Sequence, residues 1–272
     1  MAQDPWQRRI QRAEELGGRY GFAAEILRFY VAIARFQQRL AGELAKMSAG
    51  RASSDPNRFA QPLPRELAGR FESFLSVVEA NGTGVLRAAA GELRERGRGP
   101  QVELLSAFWD ETEKGALPSG PKDFFARAFL QPHAEQIRLQ SKSRPVLPGE
   151  SATPYVCPFC GRKPGFGVLR PAGDGGRRSL VCSFCLAEWE FRRIVCAACG
   201  EENYLKLPVY SAEDLDHVRV EACDTCKSYI KTVDLTKGGL AEPIVDELAS
   251  IPLDLWAEER GYAKLQRNLL QL

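Results

Sequence analysis

The eight cysteines of this 272-residue chain are the residues whose type and spacing could do chemistry. Two thiolates that are separated by two residues can face one ion, because the tight turn between them aims backbone N–H groups at the sulfurs. A glycine follows two of the pairs, at a position that often needs a positive φ. All eight stand in Cys-x-x-Cys pairs, namely Cys157/Cys160, Cys182/Cys185, Cys196/Cys199 and Cys223/Cys226.

The four pairs repeat at regular intervals. The stretch 157–185 has 21 residues between its two pairs, the stretch 196–226 has 23, and only 10 residues separate the two stretches. This duplicated pattern predicts two tetrahedral four-cysteine sites, each made by two consecutive pairs. A cross-braced pairing is the alternative, and it fits less naturally because it would nest long loops. Tetrahedral sulfur ligation suits both zinc and iron.

The residue types argue against an enzyme. A closed four-cysteine site leaves no open coordination position for a substrate or a water molecule. We expect His217 not to be a metal ligand and His133 to be structural or on the surface. A thioredoxin-like role would need a single Cys-x-x-Cys in a βαβ context, and no Ser/His/Asp set, phosphate-binding loop or paired carboxylate is evident. We therefore predict no catalytic residue and no organic cofactor.

Composition and charge exclude several kinds of partner. Apolar residues make up 44% of the chain and charged residues 26%, and 37 basic against 35 acidic residues give a net charge of +2. This balance gives no reason to expect nucleic acid or a membrane surface as a partner. No stretch approaches the roughly 20 apolar residues of a membrane span, and the polar N-terminus lacks the apolar core of a signal peptide. We expect a cytoplasmic protein with reduced cysteines.

The first 140 residues are predicted to form helices. Between residues 20 and 47, apolar residues recur at spacings of three and four, which predicts one helix that faces a bundle core. A dimer-forming coiled coil, and hence a homodimer, is the alternative. The stripe consists of Phe22, Ile26, Phe29, Ile33, Phe36, Leu40, Leu44 and Met47. A shorter helix is predicted up to Gly17, and others over 64–80, 85–96, 101–114 and, with a kink at Pro132, from 121 onward.

Short strands are predicted around the cysteines. Residues 168–170 and 179–181 flank a glycine-rich turn and predict a hairpin before the second pair. Alternating apolar and polar residues predict three further strands, over 189–195, 218–222 and 229–233. Ribbons this small bury too little apolar surface to be stable alone, so metal binding is expected to contribute much of their folding free energy.

The second half of the chain resembles a known family. The strings at residues 157–161, 182–189, 193–200 and 219–231 and the tail 245–262 are similar to the formate dehydrogenase accessory (formation) protein family, FdhE. The match is dense from about residue 155 to 262. The last five residues, from Asn268, depart from the family's ending and are given no role.

The resemblance implies a function. It implies a cytoplasmic, non-catalytic maturation factor that binds the catalytic subunit of a formate dehydrogenase before cofactor completion and twin-arginine export. The eight cysteines would be ligands of two metal ions per chain, with iron favoured and zinc as the alternative. As the partner-binding surface we hypothesise charged and aromatic residues that the ribbons expose, namely Glu188, Trp189, Arg192, Arg193, Glu221 and Tyr229.

Two other functions compete with this one. A rubredoxin-like iron electron carrier that acts in dehydrogenase maturation is the first. A zinc-ribbon protein that binds nucleic acid is the second, and the near-neutral charge argues against it.

Together these features predict an α+β fold. An N-terminal all-α helical bundle would be followed by two tandem rubredoxin-like or zinc-ribbon four-cysteine modules and a C-terminal helix. The predicted segments are a helical domain (1–140), a linker (141–156), a first module (157–194), a second module (195–240) and a helical tail (241–272).

Overall fold

The computed structural model of the chain describes residues 4–48, 59, 63, 65–110, 121–141, 155–173 and 175–271. Helices fill the first part of it. They are α1 (Pro5–Arg19), α2 (Ala24–Ser48), α3 (Arg65–Ala68), α4 (Phe71–Asn81), α5 (Gly84–Glu95), α6 (Arg98–Asp110) and α7 (Pro121–Gln140). The end of the predicted helix 101–114 and residues 142–154 of the predicted linker lie outside the described residues.

Helix α2 is the centre of the helical part. Its apolar stripe is buried from Phe29 to Leu44, and the helix packs against α1, α4 and α7. The ring of Phe36 lies 5.2 Å from that of Phe74 and 6.3 Å from that of Phe129. Each fully buried side chain of this kind contributes about 1.5–3 kcal/mol through removal of apolar surface from water. The prediction of a core-facing helix is confirmed for the middle of the stripe. It is wrong at the two ends, because Phe22 is 54% exposed and lies in a 3-10 turn before α2, and Met47 is 46% exposed.

Helix α7 continues through Pro132, where the sequence predicts a kink. Proline has no N–H, so it leaves the carbonyl of the residue four positions earlier without its helical donor. That carbonyl belongs to Ala128, and it accepts a hydrogen bond of 2.7 Å from Nε2 of Gln37 on α2. A tertiary contact thus satisfies the group that the proline leaves unpaired.

Two other helix predictions needed correction. The helix predicted over 64–80 is two helices, α3 and α4, with a turn at Gly69 and Arg70 between them. Helix α1 does not stop at Gly17 but continues to Arg19, and the extended conformation of Tyr20 ends it.

The second part of the chain is one sheet rather than two isolated ribbons. The strands are β1 (Pro164–Ala172), β2 (Gly175–Cys182), β3 (Glu188–Glu190), β4 (Val209–Ser211), β5 (Val218–Ala222), β6 (Ser228–Asp234) and β7 (Ala263–Lys264). Their order in the sheet is β3-β2-β1-β6-β5-β4, with β7 paired to β6. Strands β1 and β6 run parallel and join the two cysteine-bearing ribbons. A Cβ at Gly167 would overlap Oγ1 of Thr232, so glycine permits this close approach.

The strand predicted over 189–195 is much shorter than expected. Only Glu188–Glu190 pairs with β2, and the N–H of Phe191 makes one further bond to the carbonyl of Arg178. The chain then turns away from the sheet and exposes Ile194. The local alternation of polar and apolar residues therefore does not mark a continuous strand here.

The predicted C-terminal helix is two short helices, α8 (Pro243–Ala249) and α9 (Ile251–Glu259). They break at Ser250, two residues before Pro252, because proline is accommodated in the first turn of a helix but not in its interior. Both helices lie against the sheet. The α+β fold with N-terminal helices and two cysteine clusters is confirmed, whereas the exact segment boundaries stay a prediction.

Ion pairs connect the helical part to the C-terminal helices. Arg12 on α1 places Nη2 2.6 Å from Oδ1 of Asp246 on α8, and Arg8 pairs with Glu242. Arg127 on α7 is buried and donates to the backbone carbonyls of Arg267 and Asn268. Within the described ranges, no helix is long and apolar enough to cross a membrane.

Candidate metal centres

All four Cys-x-x-Cys pairs form the same turn. In each, the N–H of the first cysteine donates to the carbonyl five residues later, at 2.8–2.9 Å. The residue after the second cysteine takes a positive φ in every case. Gly161 and Gly200 take it without strain, but Leu186 (φ 54°) and Lys227 (φ 57°) take it as well. The metal-binding turn is thus formed even where the sequence lacks the glycine that favours it.

The first cluster consists of Cys157, Cys160, Cys182 and Cys185, all of which are buried. Sγ of Cys157 lies 3.5 Å from Sγ of Cys185, and Sγ of Cys160 lies 3.4 Å from Sγ of Cys182. A tetrahedral ion with metal–sulfur bonds of about 2.3 Å requires sulfur–sulfur edges of about 3.8 Å. These two edges need to lengthen by only a few tenths of an ångström, and all four sulfurs lie within 4.8 Å of one another, so the site fits such an ion.

The second cluster consists of Cys196, Cys199, Cys223 and Cys226. Sγ–Sγ distances of 3.7 Å, between Cys196 and Cys226 and between Cys199 and Cys223, match the tetrahedral edge closely. Cys199 is exposed and Cys226 is half-buried. The structure brings the first two pairs together and the last two together, as consecutive pairing requires.

Thiol acidity differs sharply within the first cluster. Burial raises the pKa of Cys157 and Cys185 above the ordinary value for a thiol. Burial acts in the same direction on Cys182, but hydrogen bonds from the neighbouring thiols and from the N–H of Phe184 hold its pKa well below that value. A buried cluster of this kind favours full ionisation only when a cation compensates the thiolates. The donor set therefore fits one soft ion, zinc or iron, per cluster.

The first cluster is packed against the helical part. The ring of Phe184 lies 5.3 Å from that of Phe108 and 6.1 Å from that of Trp109, both on α6. The guanidinium of Arg162 lies 4.0 Å from the centroid of the Phe108 ring and 4.6 Å from that of Phe184. Arg138 on α7 donates to the carbonyl of Cys185. This cluster is enclosed by two parts of the chain, whereas the second opens to solvent.

Chelation should therefore remove metal in two steps. We expect an excess of chelator to take the ion from the second cluster first, because Cys199 is accessible and every ligand of the first cluster is buried. Metal release, monitored with a chromogenic chelator, should show a fast and a slow phase of equal amplitude. Cys199→Ser should remove the fast phase only. A single phase in the native protein would contradict the difference in accessibility.

The histidines lie outside both clusters. Nε2 of His217 is 2.8 Å from Oδ1 of Asp246, the carboxylate that also binds Arg12. The ring of His133 is 5.3 Å from that of Trp109. Both histidines therefore contact residues of helices, His217 through Asp246 on α8 and His133 through Trp109 on α6.

The fold buries two of the six residues predicted for a partner surface and leaves the other four accessible. Trp189 and Tyr229 are each only 1% exposed, so the expectation that they are accessible is wrong. Trp189 stands between two exposed glutamates on β3, and the hydroxyl of Tyr229 donates to Oδ1 of Asp254 on α9 at 2.8 Å, so both rings belong to the core. Glu188, Arg192 and Arg193 are exposed, and Glu221 is half-buried. Of the six residues predicted for this surface, these four are accessible to a partner.

The C-terminal residues contribute packing that the sequence did not indicate. Asn268, Leu269 and Leu270 are buried, and Nε2 of Gln271 donates to Asp123 on α7. The paired leucines are the signal that could have suggested burial of this segment.

The fold and the two clusters define a class of protein in which a helical part is followed by paired four-cysteine modules on a shared sheet. Residues 156–193 match the family model described as "FdhE, central domain", and residues 194–271 match "FdhE, C-terminal domain". The chain belongs to the FdhE family, and its predicted resemblance to formate dehydrogenase accessory proteins is confirmed.

Individual relatives agree with this assignment. The chain is 32% identical over 201 residues to the "Protein FdhE homolog" of Aquifex aeolicus, which covers 74% of this chain and 68% of that protein. It is 29% identical to the homologue of Pseudomonas aeruginosa, and the matched region covers 99% of this chain and 90% of that protein. The crystal structure of the FdhE protein from Pseudomonas aeruginosa is similar with a TM-score of 0.71 at 26% identity, covering 100% of this chain and 97% of that one.

Proposed function

We propose that this protein is a non-catalytic accessory factor for a formate dehydrogenase. It would act as a chaperone in the cytoplasm, binding the immature catalytic subunit before cofactor completion and twin-arginine export. The observation that carries the proposal is the pair of closed four-cysteine clusters on one sheet, in a chain that belongs to the FdhE family.

The arrangement supports a binding role more than a catalytic one. A bound zinc or iron ion would supply a cross-link between the two turns of each module. The four cysteines of each cluster would fill its coordination sphere and leave no position for a substrate. Phe184 and Arg162 fasten the first module to the helices. The second module extends from this anchored sheet and offers its exposed side to a partner.

An affinity purification from the native host tests the proposal. Performed anaerobically with the tagged full chain, it should enrich the catalytic subunit of a formate dehydrogenase, and the bait should carry about two metal ions per chain. Mass spectrometry and elemental analysis read out the two quantities separately. A bait with Arg28→Glu, a charge change at an exposed position on α2, is the control and should capture the subunit as well as the native bait does. A bait that holds its metal but captures no dehydrogenase subunit would contradict the proposal.

One observation favours an electron carrier as the second candidate. Exposure of Cys199 brings a ligand of the second cluster to the protein surface, where electron exchange with a partner is possible. The test is to load the protein with iron or with redox-inert zinc. Equal support of dehydrogenase maturation by both forms would exclude this role, whereas activity of the iron form alone would favour it.

A further inference from the structure

A groove of about 520 Å³ opens beside the second cluster. Its floor is formed by β5 and β6, and the segment 193–198 forms one wall. Val209 on β4 and Ile230 on β6 line it with apolar surface, and Tyr204 stands at its margin. The groove lies on the face of β5 that carries Glu221, because Val209 pairs with Glu221 and Glu221 with Ile230 across the sheet.

One end of the groove carries excess positive charge. Glu221 accepts hydrogen bonds from two arginines, at 2.8 Å from Nε of Arg178 and at 2.7 Å from Nη2 of Arg219. Burial acts to raise the pKa of Glu221, but the two guanidinium groups hold it below its ordinary value, so the carboxylate is ionised. Two cations thus share one anion. Arg178 is itself 2% exposed, so this charge is built into the wall of the groove.

Arg193 adds a third cation at the same end. It lines the groove and a shallower hollow beside it, it is exposed, and it makes no ion pair with any residue of the described ranges. The carboxylate of Asp234 also borders the hollow, where it accepts a hydrogen bond from the N–H of Thr236 rather than pairing with Arg193. An anionic group placed between Arg193 and Arg219 would meet two guanidinium groups that are geometrically suited to a carboxylate.

The apolar part of the groove extends to the surface. Ile194 is 57% exposed, Val209 55% and Tyr204 69%. Large apolar side chains that are exposed together, next to a cavity, mark a surface that another molecule covers. Strand β4 is also the last strand of the sheet on this side, within the part of the chain that the structure describes. An edge strand beside an apolar groove is a surface to which an extended peptide can dock.

We infer that this groove binds an extended segment of the dehydrogenase subunit in which an acidic side chain is flanked by apolar residues. The acidic side chain would lie between Arg193 and Arg219, and the apolar residues would cover Ile194 and Val209. A segment rich in arginine would be repelled by the same cations, so the charge of the groove disfavours a twin-arginine export signal. This inference rests on the proposed function, since it names the part of the client that is bound.

A charge-exchange experiment tests the inference. Overlapping peptides that tile the catalytic subunit are assayed by fluorescence anisotropy against the full, metal-loaded chain. The peptides that bind should combine apolar residues with an aspartate or glutamate. Arg193→Glu should weaken their binding at least about tenfold. Changing the acidic residue of the peptide to lysine should weaken binding to the native protein and restore it to the Arg193→Glu variant.

Matched variants separate the groove from general effects. Ile194→Ser should weaken binding, whereas Val85→Ser, at a site that is 70% exposed on the helical part, and Arg28→Glu should not. If Arg193→Glu binds the same peptides as tightly as the native protein, or if the best peptides are basic, the inference is wrong.

Capture of the whole dehydrogenase subunit distinguishes failure of the groove inference from failure of the proposed function. A native bait that captures the dehydrogenase subunit, while no tiled peptide binds, would overturn the groove and leave the accessory role standing. A native bait that captures no subunit would overturn the accessory role and the groove with it.

Discussion

Replacing Cys182 with serine is expected to lower the metal content from about two ions to about one per chain and to unfold the first module. Cys182 is fully buried and lies at the end of β2, so its loss affects both the cluster and the strand that leads into it. Structural zinc contributes apparent binding free energies of about 10–16 kcal/mol in zinc-finger peptides. Removal of one of four ligands should therefore cost several kcal/mol of stability.

Thermal unfolding and elemental analysis measure this effect. A loss of about 3 kcal/mol lowers the Tm of a protein of this size by roughly 6–12 °C. Cys199→Ser is the matched control, because it removes an exposed ligand of the second cluster. It should also cost one metal ion, with a smaller change in Tm because Cys199 is exposed whereas Cys182 is fully buried. Capture of the dehydrogenase subunit should be lost with Cys182→Ser. Binding that persists after the metal is lost would contradict a role of the first module in holding the partner surface.

Replacing Lys231 with methionine is expected to destabilise the protein about as strongly, without touching a cysteine. Lys231 is fully buried on β6, with Nζ 2.6 Å from Oδ2 of Asp254 and 3.1 Å from Oε1 of Glu247. Lys264 contacts the same two carboxylates at 2.6 and 3.0 Å. Two cations and two anions therefore neutralise one another beneath α8 and α9.

The cost comes from the charge that remains. Burial lowers the pKa of the Lys231 ammonium. Burial acts to raise the pKa of Asp254, but Lys231 and Lys264 hold it below its ordinary value. With methionine at position 231, two buried carboxylates share one cation, and breaking a buried pair in this way costs about 3–5 kcal/mol.

Denaturant unfolding of a double-mutant cycle isolates this effect. Lys231→Met combined with Asp254→Leu removes one charge of each sign and should recover part of the lost stability. Lys237→Met, at an exposed lysine a few residues away, is the control and should leave stability nearly unchanged. A double variant as unstable as the sum of the two single variants would show that the charges do not interact.

Local pattern in the sequence determined the elements and the ligands. The cysteine spacing identified both clusters, because two cysteines with two residues between them can face the same ion from one tight turn. The alternation in residues 218–222 predicted β5, since successive side chains of a strand point to opposite faces. The spacing of apolar residues predicted the buried face of α2 for the corresponding helical reason.

Only the tertiary structure decided how these elements meet. The parallel pairing of β1 with β6 depends on the close approach of Gly167 to Thr232, two residues that are far apart in the chain. Continuation of α7 through Pro132 depends on Gln37 from another helix. Burial of Trp189 and Tyr229 depends on what covers each face of the sheet, which alternation along a strand does not specify. The same holds for the groove, because its charge arises where Arg178, Arg219 and Glu221 converge from two strands. Periodicity is a property of neighbours in sequence, whereas these contacts join residues that only folding brings together.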